Sequence, residues 1–260
     1  MFIKIIYLTE INQSVGSFTS PSHRTLPQKS MKTGLCRLCL KENELRHSHI
    51  LPEFMYQNLY NTDIRRFHSF EINLDNLEDA KKRIQQKGVR EYLLCQNCET
   101  LLSLYENYAA ETLYGKNLKN KTYIVDAKQT PDEMYFLYDY VGFDYKAFRI
   151  FLFSILWRLI ISESFKTPEY DTKIVDKLRQ AILEENPLSP KEFGCLLQVV
   201  KYKKGQIAKG FILSPYVTGK NEQILNILVD GFIFSFFFET EGMPEEEYFL
   251  KENGTMTVFG

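Results

Sequence analysis

The chain has 260 residues, 44% hydrophobic and 25% charged, which is typical of a globular protein with one large domain or two small ones. Its formal net charge of −1 excludes an overall attraction to nucleic acid, so any such binding would need a local cationic patch. The longest apolar run, 150–161, is shorter than the roughly 18 residues of a membrane span and contains Ser154 and Arg158. It therefore predicts a buried helix, and we expect no membrane partner.

Residues 1–30 hold one short apolar stretch and then a polar segment without helical or strand periodicity. Such a segment cannot bury enough surface to become ordered. We expect a disordered, dispensable extension, with Met31 as a candidate start. The apolar stretch is too short for a signal peptide, and the thiols described next suit a reducing compartment, which together predict a cytoplasmic protein.

Two Cys-x-x-Cys pairs, Cys36/Cys39 and Cys95/Cys98, use four of the five cysteines in the chain. A two-residue spacer lets one turn present two sulfurs to one ion, and Zn²⁺ prefers four such ligands. Redox chemistry or disulfides are the alternatives, but a redox pair would leave the second motif unused. The pattern predicts a structural zinc site.

The zinc-binding region is predicted to span 31–120. It comprises a knuckle at 34–40, a strand at 43–50, a helix from Pro52 to Tyr60, weak strand character at 64–71 and a polar, helix-like stretch at 73–83. A strand then leads to Cys95, and a helix begins at the second pair, with Leu101, Leu104, Tyr105 and Tyr108 at helical spacing. A knuckle, a hairpin and a helix in this order predict a treble-clef, or ββα, arrangement.

Residues 121–260 are predicted to form a mixed sheet-and-helix domain, which makes the chain α+β. Strands are expected at 122–125 and 134–141, helices at 145–165 and 171–184, and further strands at 196–202, 207–213, 224–229 and 232–239. Asn253-Gly254 predicts a hairpin between 248–251 and 255–259. The phenylalanine-rich stretch 232–238 must be a central or covered strand, because an exposed edge of this kind would aggregate. Cys195 is expected to be an inert core thiol.

The motif residues of 34–112 resemble those of the HNH, or His-Me finger, endonucleases, in the zinc-stapled branch of phage endonuclease VII-like enzymes. The resemblance is carried by the cysteines, by Ser48-His49-Ile50-Leu51-Pro52, and by Cys98-Glu99. It implies a general base at His49 that takes a proton from water. It also implies a phosphodiester-cleaving enzyme of DNA, with small HNH units often found in phage-defence or mobile-element proteins.

The departures from that family concern the catalytic metal. Ser48 stands where the family has a metal-binding aspartate or histidine, and Glu99 stands where it has asparagine or histidine. Because four sulfurs leave zinc no open position, we expect a second cation, Mg²⁺ or Mn²⁺, with Glu99, Glu106 and His47 as candidate ligands. Glu99 could instead favour the helix N-terminus, and Glu106 could be a solvated carboxylate.

A basic run between His49 and Cys95 is the candidate nucleic-acid-binding patch, comprising Lys81, Lys82, Arg83, Lys87 and Arg90. Such runs are more often solvated surface, and nothing in the sequence distinguishes DNA from RNA beyond the resemblance. Two other functions remain open: a non-catalytic zinc-containing nucleic-acid-binding module, and a pure interaction protein. In each case the C-terminal domain could recruit a protein partner.

Overall fold

The computed structural model describes residues 2–7, 32–60, 65–73, 76–115, 122–131, 133–202, 205–219 and 223–260. Over these residues the protein is mixed α+β, as predicted, with a large sheet, a small sheet and three α-helices. The helices are α1 (Gln96–Tyr114), α2 (Tyr145–Ile161) and α3 (Thr172–Leu183). In these ranges no helix combines the length and apolarity required to cross a membrane.

The strands of the large sheet come from the whole length of the chain. They are β1 (Phe2–Tyr7), β4 (Phe67–Asn73), β5 (Asn76–Gln85), β7 (Tyr123–Gln129), β8 (Phe136–Val141), β9 (Glu192–Val199), β10 (Phe211–Leu213), β11 (Tyr216–Thr218), β12 (Ile224–Val229), β13 (Phe232–Glu239) and β14 (Met256–Phe259). Their order is β5-β4-β1-β10-β12-β13-β9-β14-β8-β7, with β11 paired to β12. All pairs are antiparallel except β14 with β9.

The phenylalanine-rich strand β13 lies between β12 and β9, which confirms its predicted central position. Phe234 and Phe236 are almost fully buried there. The turn that leads into it is Asp230-Gly231, where both residues have positive φ, 51° and 87°. This backbone matches the twist of a two-residue hairpin, and a glycine adopts it without strain.

The small sheet consists of β2 (Thr33–Leu35), β3 (Glu42–His49) and β6 (Arg90–Cys95), and α1 begins directly after β6. Between β3 and β4 lies a short 3₁₀ helix, Glu53–Leu59, where the sequence predicted a helix from Pro52. The strands predicted at 43–50 and before Cys95, and the helix predicted at the second cysteine pair, correspond to β3, β6 and α1. Leu102 is buried on α1, whereas Leu104, expected in the core, is exposed.

Helix α2 forms the centre of the core, because it is apolar on all sides. It is buried from Phe148 to Leu159, and the Asp144 side chain caps it by accepting a hydrogen bond from the N–H of Ala147. One continuous hydrophobic cluster joins α2 to the small sheet, to α1 and to the large sheet. The predicted division of the chain at 120/121 therefore does not separate two hydrophobic cores among the described residues.

Three further sequence expectations differ from the structure. Residues 2–7, inside the expected disordered extension, form β1 and pair with β4 and β10, while the remainder of that extension lies outside the described residues. The polar stretch 73–83, expected to be helix-like, lies largely in β5, because pairing with β4 outweighs its local preference. Asn253-Gly254 does make a turn, but the following strand pairs with β8 and β9 instead of forming a hairpin with 248–251.

Candidate metal and catalytic site

The four cysteines of the two pairs come together, as predicted. Their Sγ atoms all lie within 4.8 Å of one another, and Cys39 Sγ lies 3.9 Å from Cys95 Sγ. Tetrahedral coordination at a Zn–S distance of about 2.3 Å puts sulfurs about 3.8 Å apart. The cluster can therefore hold one metal ion such as zinc, and all four cysteines are free of disulfide bonds in the structure.

The electrostatics of this cluster also suit a cation. Burial raises the pKa of the Cys36 thiol, but the N–H groups of Cys39, Cys95 and Leu38 outweigh it and bring the pKa down to about 7. Burial and the neighbouring Cys36 sulfur raise the pKa of Cys98. The Cys36 thiolate therefore forms readily, whereas a second thiolate at Cys98 is disfavoured. A bound cation would neutralise the charge and favour ionisation of both thiols.

His49, the predicted base, lies at the end of β3 opposite Arg90 of β6. Its Nε2 atom lies 2.6 Å from Glu53 Oε2 and accepts a hydrogen bond from Arg90 Nε at 2.7 Å. Burial and the Arg90 charge lower the pKa of His49 to about 4, although Glu53 opposes this shift. The imidazole is therefore neutral at pH 7, the form that can accept a proton.

Nε2 cannot satisfy both of its neighbours with one proton arrangement. If Nε2 carries hydrogen, it donates to Glu53 and leaves Nδ1 with a lone pair; if it accepts from Arg90, the hydrogen is on Nδ1. In the second arrangement Glu53 Oε2 has no hydrogen-bond donor among the described residues, and the nearest cationic nitrogen is Arg90 Nη2 at 3.6 Å; Glu53 Oε1 accepts from the Tyr60 hydroxyl at 2.9 Å. The two arrangements differ in whether His49 can act as a base through Nδ1.

Arg158 of α2 connects His49 to Glu106 of α1. Its Nη1 atom donates to the His49 carbonyl oxygen at 3.0 Å and lies 2.8 Å from Glu106 Oε1. Its other nitrogens donate to the Ser154 carbonyl and hydroxyl oxygens, so the guanidinium, 3% exposed, is held from several sides. Burial raises the pKa of Glu106, and Arg158 counteracts this rise.

The candidate catalytic-metal ligands are not gathered into one site. Among the described residues, the cysteine cluster is the only group of three or more His, Cys, Asp or Glu side chains close enough to hold an ion. His47 stacks on Tyr92, with ring centroids 4.9 Å apart, and Glu106 pairs with Arg158. Glu99 Oε1 is buried without a hydrogen-bond partner in these residues, so Glu99 keeps a free carboxylate oxygen.

Ser48, which replaces the metal-binding residue of the resembling family, has a structural role here. Its hydroxyl accepts a hydrogen bond from the Leu94 N–H at 3.1 Å and donates to the Arg46 carbonyl oxygen. These contacts lie beside the register shift between Arg46 and His47, where the β3–β6 ladder is irregular. The side chain is 2% exposed and faces the interior.

The structure describes only part of the predicted cationic patch. Lys81, Lys82 and Arg83 fall in β5, at one edge of the large sheet, and the side chains of the two lysines lie outside the described residues. Arg83 and Lys87 are exposed. Arg90 instead points to His49 and Glu53, so in this state its guanidinium is engaged by the candidate active site.

Sequence reasoning missed Glu53 and Arg158. Arg158 carries a sequence signal, because a lone arginine in an apolar helix must find buried acceptors. Glu53 gave little signal, since its distance from His49 depends on the chain turning at Pro52 into the 3₁₀ helix.

Comparisons with known proteins identify no relative: no family model, no curated protein and no solved structure matches the chain.

Proposed function

We propose that this protein is an HNH-like endonuclease that hydrolyses phosphodiester bonds in DNA, with β3, β6 and α1 as a zinc-stapled ββα module of the treble-clef type. The observation that carries the proposal is the contact between His49 Nε2 and Glu53 Oε2 at the end of a hairpin whose other end enters the cysteine cluster. A carboxylate that holds an imidazole by one nitrogen leaves the other nitrogen available as a general base.

In this mechanism Glu53 accepts the Nε2 hydrogen, and Nδ1 takes a proton from the water that attacks phosphorus. Zinc held by Cys36, Cys39, Cys95 and Cys98 would act as a scaffold, since four thiolates leave it no open position. A second cation, Mg²⁺ or Mn²⁺, would neutralise charge on the phosphate and the leaving oxygen when bound. Glu99 is the best candidate ligand, because its Oε1 has no hydrogen-bond partner in the described part of the chain. Glu106 would have to release Arg158 to join it.

A second candidate function is a zinc-containing nucleic-acid-binding module that does not cleave. Two observations favour it: the Ser48 hydroxyl is used inside the β-ladder, and Arg90 Nε donates to the nitrogen of His49 that the base mechanism requires to face Glu53. For either function we propose a cytoplasmic setting, such as phage defence or a mobile element, with a protein partner recruited by residues 121–260.

Nicking of supercoiled plasmid in Mg²⁺ or Mn²⁺ distinguishes the endonuclease from the non-cleaving binding module. General-base catalysis is worth about 10²–10⁴-fold, so His49→Ala should slow nicking by that factor while the zinc content stays unchanged. Glu53→Gln should also lower the nicking rate. Glu42→Gln, at an exposed position of β3, is the matched control and should retain the wild-type rate.

Unchanged nicking by His49→Ala would show that the base is another group. Binding of DNA by the wild-type protein without cleavage in either metal would support the second candidate.

A further inference from the structure

A cavity opens beside the candidate base, between the start of β6 and strand β4. Its volume is about 390 Å³, within the usual range of small-ligand sites. The lining residues that matter here are His47, Phe67, Ser69, Gln85, Lys87 and Arg90. Arg90 lines this cavity and also contacts His49, so one side chain connects a ligand in the cavity to the imidazole.

One wall of the cavity is preformed. The chain at Gly88 passes so close to the Tyr56 ring that a Cβ would lie 2.5 Å from it. The N–H of Val89 donates to the Tyr56 hydroxyl at 3.2 Å, and the Val89 carbonyl accepts from the N–H of Ile50 at 3.0 Å. These contacts fix residues 88–89 against the core, so the cavity exists without a ligand to shape it.

The chemistry of the lining combines cations, hydrogen-bonding groups and an aromatic ring. Lys87 is exposed and Arg90 partly buried, and they supply positive charge. Ser69 and Gln85 supply a hydroxyl and an amide, joined by a hydrogen bond of 3.4 Å. Phe67 is 2% exposed and packs against Tyr56 and Tyr60, so it closes the inner end of the cavity with an apolar floor but offers no free ring face. A nucleotide presents the matching groups: a phosphate for the cations and polar base edges for the hydroxyl and the amide.

We infer that this cavity binds one unpaired nucleotide, with its phosphate at Lys87 and Arg90 and its base at Ser69, Gln85 and Phe67. A base stacked inside a duplex cannot enter such a cavity, so the ligand must be single-stranded or extruded from the helix. The inference that this nucleotide belongs to a DNA strand rests on the proposed function. Binding of the phosphate would draw Arg90 away from His49 Nε2 and leave Glu53 as its partner.

The test measures binding, without added divalent cation, to a labelled single strand of about 12 nucleotides and to the duplex of the same sequence. The single strand should bind more tightly than the duplex. Ser69→Phe, which fills the cavity, and Lys87→Glu, which reverses its charge, should each weaken single-strand binding about tenfold, the size of one lost hydrogen bond or phosphate contact. Lys128→Glu makes the same charge change on β7, away from the cavity, and should change affinity less than about twofold.

Competition by deoxythymidine monophosphate would show that a free nucleotide suffices; variant effects without such competition would assign the cavity to a nucleotide within a strand. Lys87→Glu carries the test if Ser69→Phe loses its zinc. Equal binding by Lys87→Glu and the wild-type protein, or a duplex bound as tightly as the single strand, would overturn the inference. The test measures binding and not cleavage, so its results can be interpreted even if the protein is not a nuclease. If the protein does cleave DNA but both cavity variants bind the single strand normally, the nucleotide site is refuted and the nuclease proposal is not.

Discussion

At the scale of single residues, the tautomer of His49 depends on two neighbours that favour opposite hydrogen-bonding states of Nε2. Glu53 favours a hydrogen on Nε2, and Arg90 favours a lone pair there. Glu53 raises the pKa of His49, whereas burial and Arg90 lower it, and the lowering prevails. Glu53, which leaves Nδ1 able to accept a proton, and Arg90, which places the hydrogen on Nδ1, thus both contact the ring.

The pH dependence of nicking should report this balance. A base works only when unprotonated, so an ordinary histidine would give a rate that falls below about pH 6.5. With a pKa of about 4, His49 stays neutral at pH 6.5, and the rate should be flat through that region. Arg90→Gln removes a charge that disfavours protonation, so the pKa of His49 should rise and the acid limb should move to higher pH.

The measurement is the midpoint of the acid limb, not the absolute rate, between about pH 3 and pH 8, and Arg83→Gln at an exposed position is the matched control. A midpoint near 6.5 in the wild-type protein, unmoved by Arg90→Gln, would contradict the assigned environment of His49.

At the scale of elements, α2 holds the hairpin and α1 together through Arg158. Replacing it by methionine would keep most of the buried apolar volume but leave the Glu106 carboxylate and the His49 carbonyl without their donor. Loss of one partner of a largely buried pair should destabilise the protein by about 2–4 kcal/mol in urea unfolding. Arg46→Met, which breaks an exposed pair with Glu44, should cost less than about 1 kcal/mol. Similar losses for the two variants would argue against Arg158 as the link.

The cysteine cluster fixes the other end of the same hairpin. Purified protein should contain about one zinc per chain, and Cys36→Ser should lose the metal and unfold β3, β6 and the start of α1, since a structural zinc supplies folding free energy. Cys195→Ser is the matched control, because the fifth thiol is buried in β9, outside the cluster, and should leave the zinc content unchanged. Metal analysis and circular dichroism give the readouts; full zinc in Cys36→Ser would refute the site.

At the scale of the whole molecule, one large hydrophobic core joins residues from both sides of the predicted boundary at 120/121, beside a small cluster of Leu196, Phe237 and Phe249. Strands β4 and β5 lie in the large sheet although they fall within the predicted zinc-binding region, and Phe54 of that region packs against Phe151 of α2. Arg179 of α3 donates to the Leu38 carbonyl oxygen between Cys36 and Cys39, and Glu91 accepts hydrogen bonds from Ser162 and Ser164 after α2.

A fragment beginning at residue 122 should therefore not fold independently. It would expose the face of α2 that packs on α1 and would lack β4 and β5, so proton NMR should show poor chemical-shift dispersion and urea unfolding no cooperative transition. The full chain should unfold in a single transition as the control. A well-dispersed, cooperative fragment would instead support two independent domains.

The sequence by itself determined the features that depend on local chemistry. The spacing of four cysteines predicted their cluster, aromatic and β-branched runs predicted β12 and β13, and the apolar run of α2 predicted a buried helix. Only the tertiary structure decided the rest, because it depends on which distant groups meet. The contact of Glu53 with His49 requires the turn at Pro52, and the polar stretch of β5 became a strand because β4 offered it hydrogen-bond partners. The partner of Arg158 was fixed by the packing of α2 on α1, which no local pattern in the chain encodes.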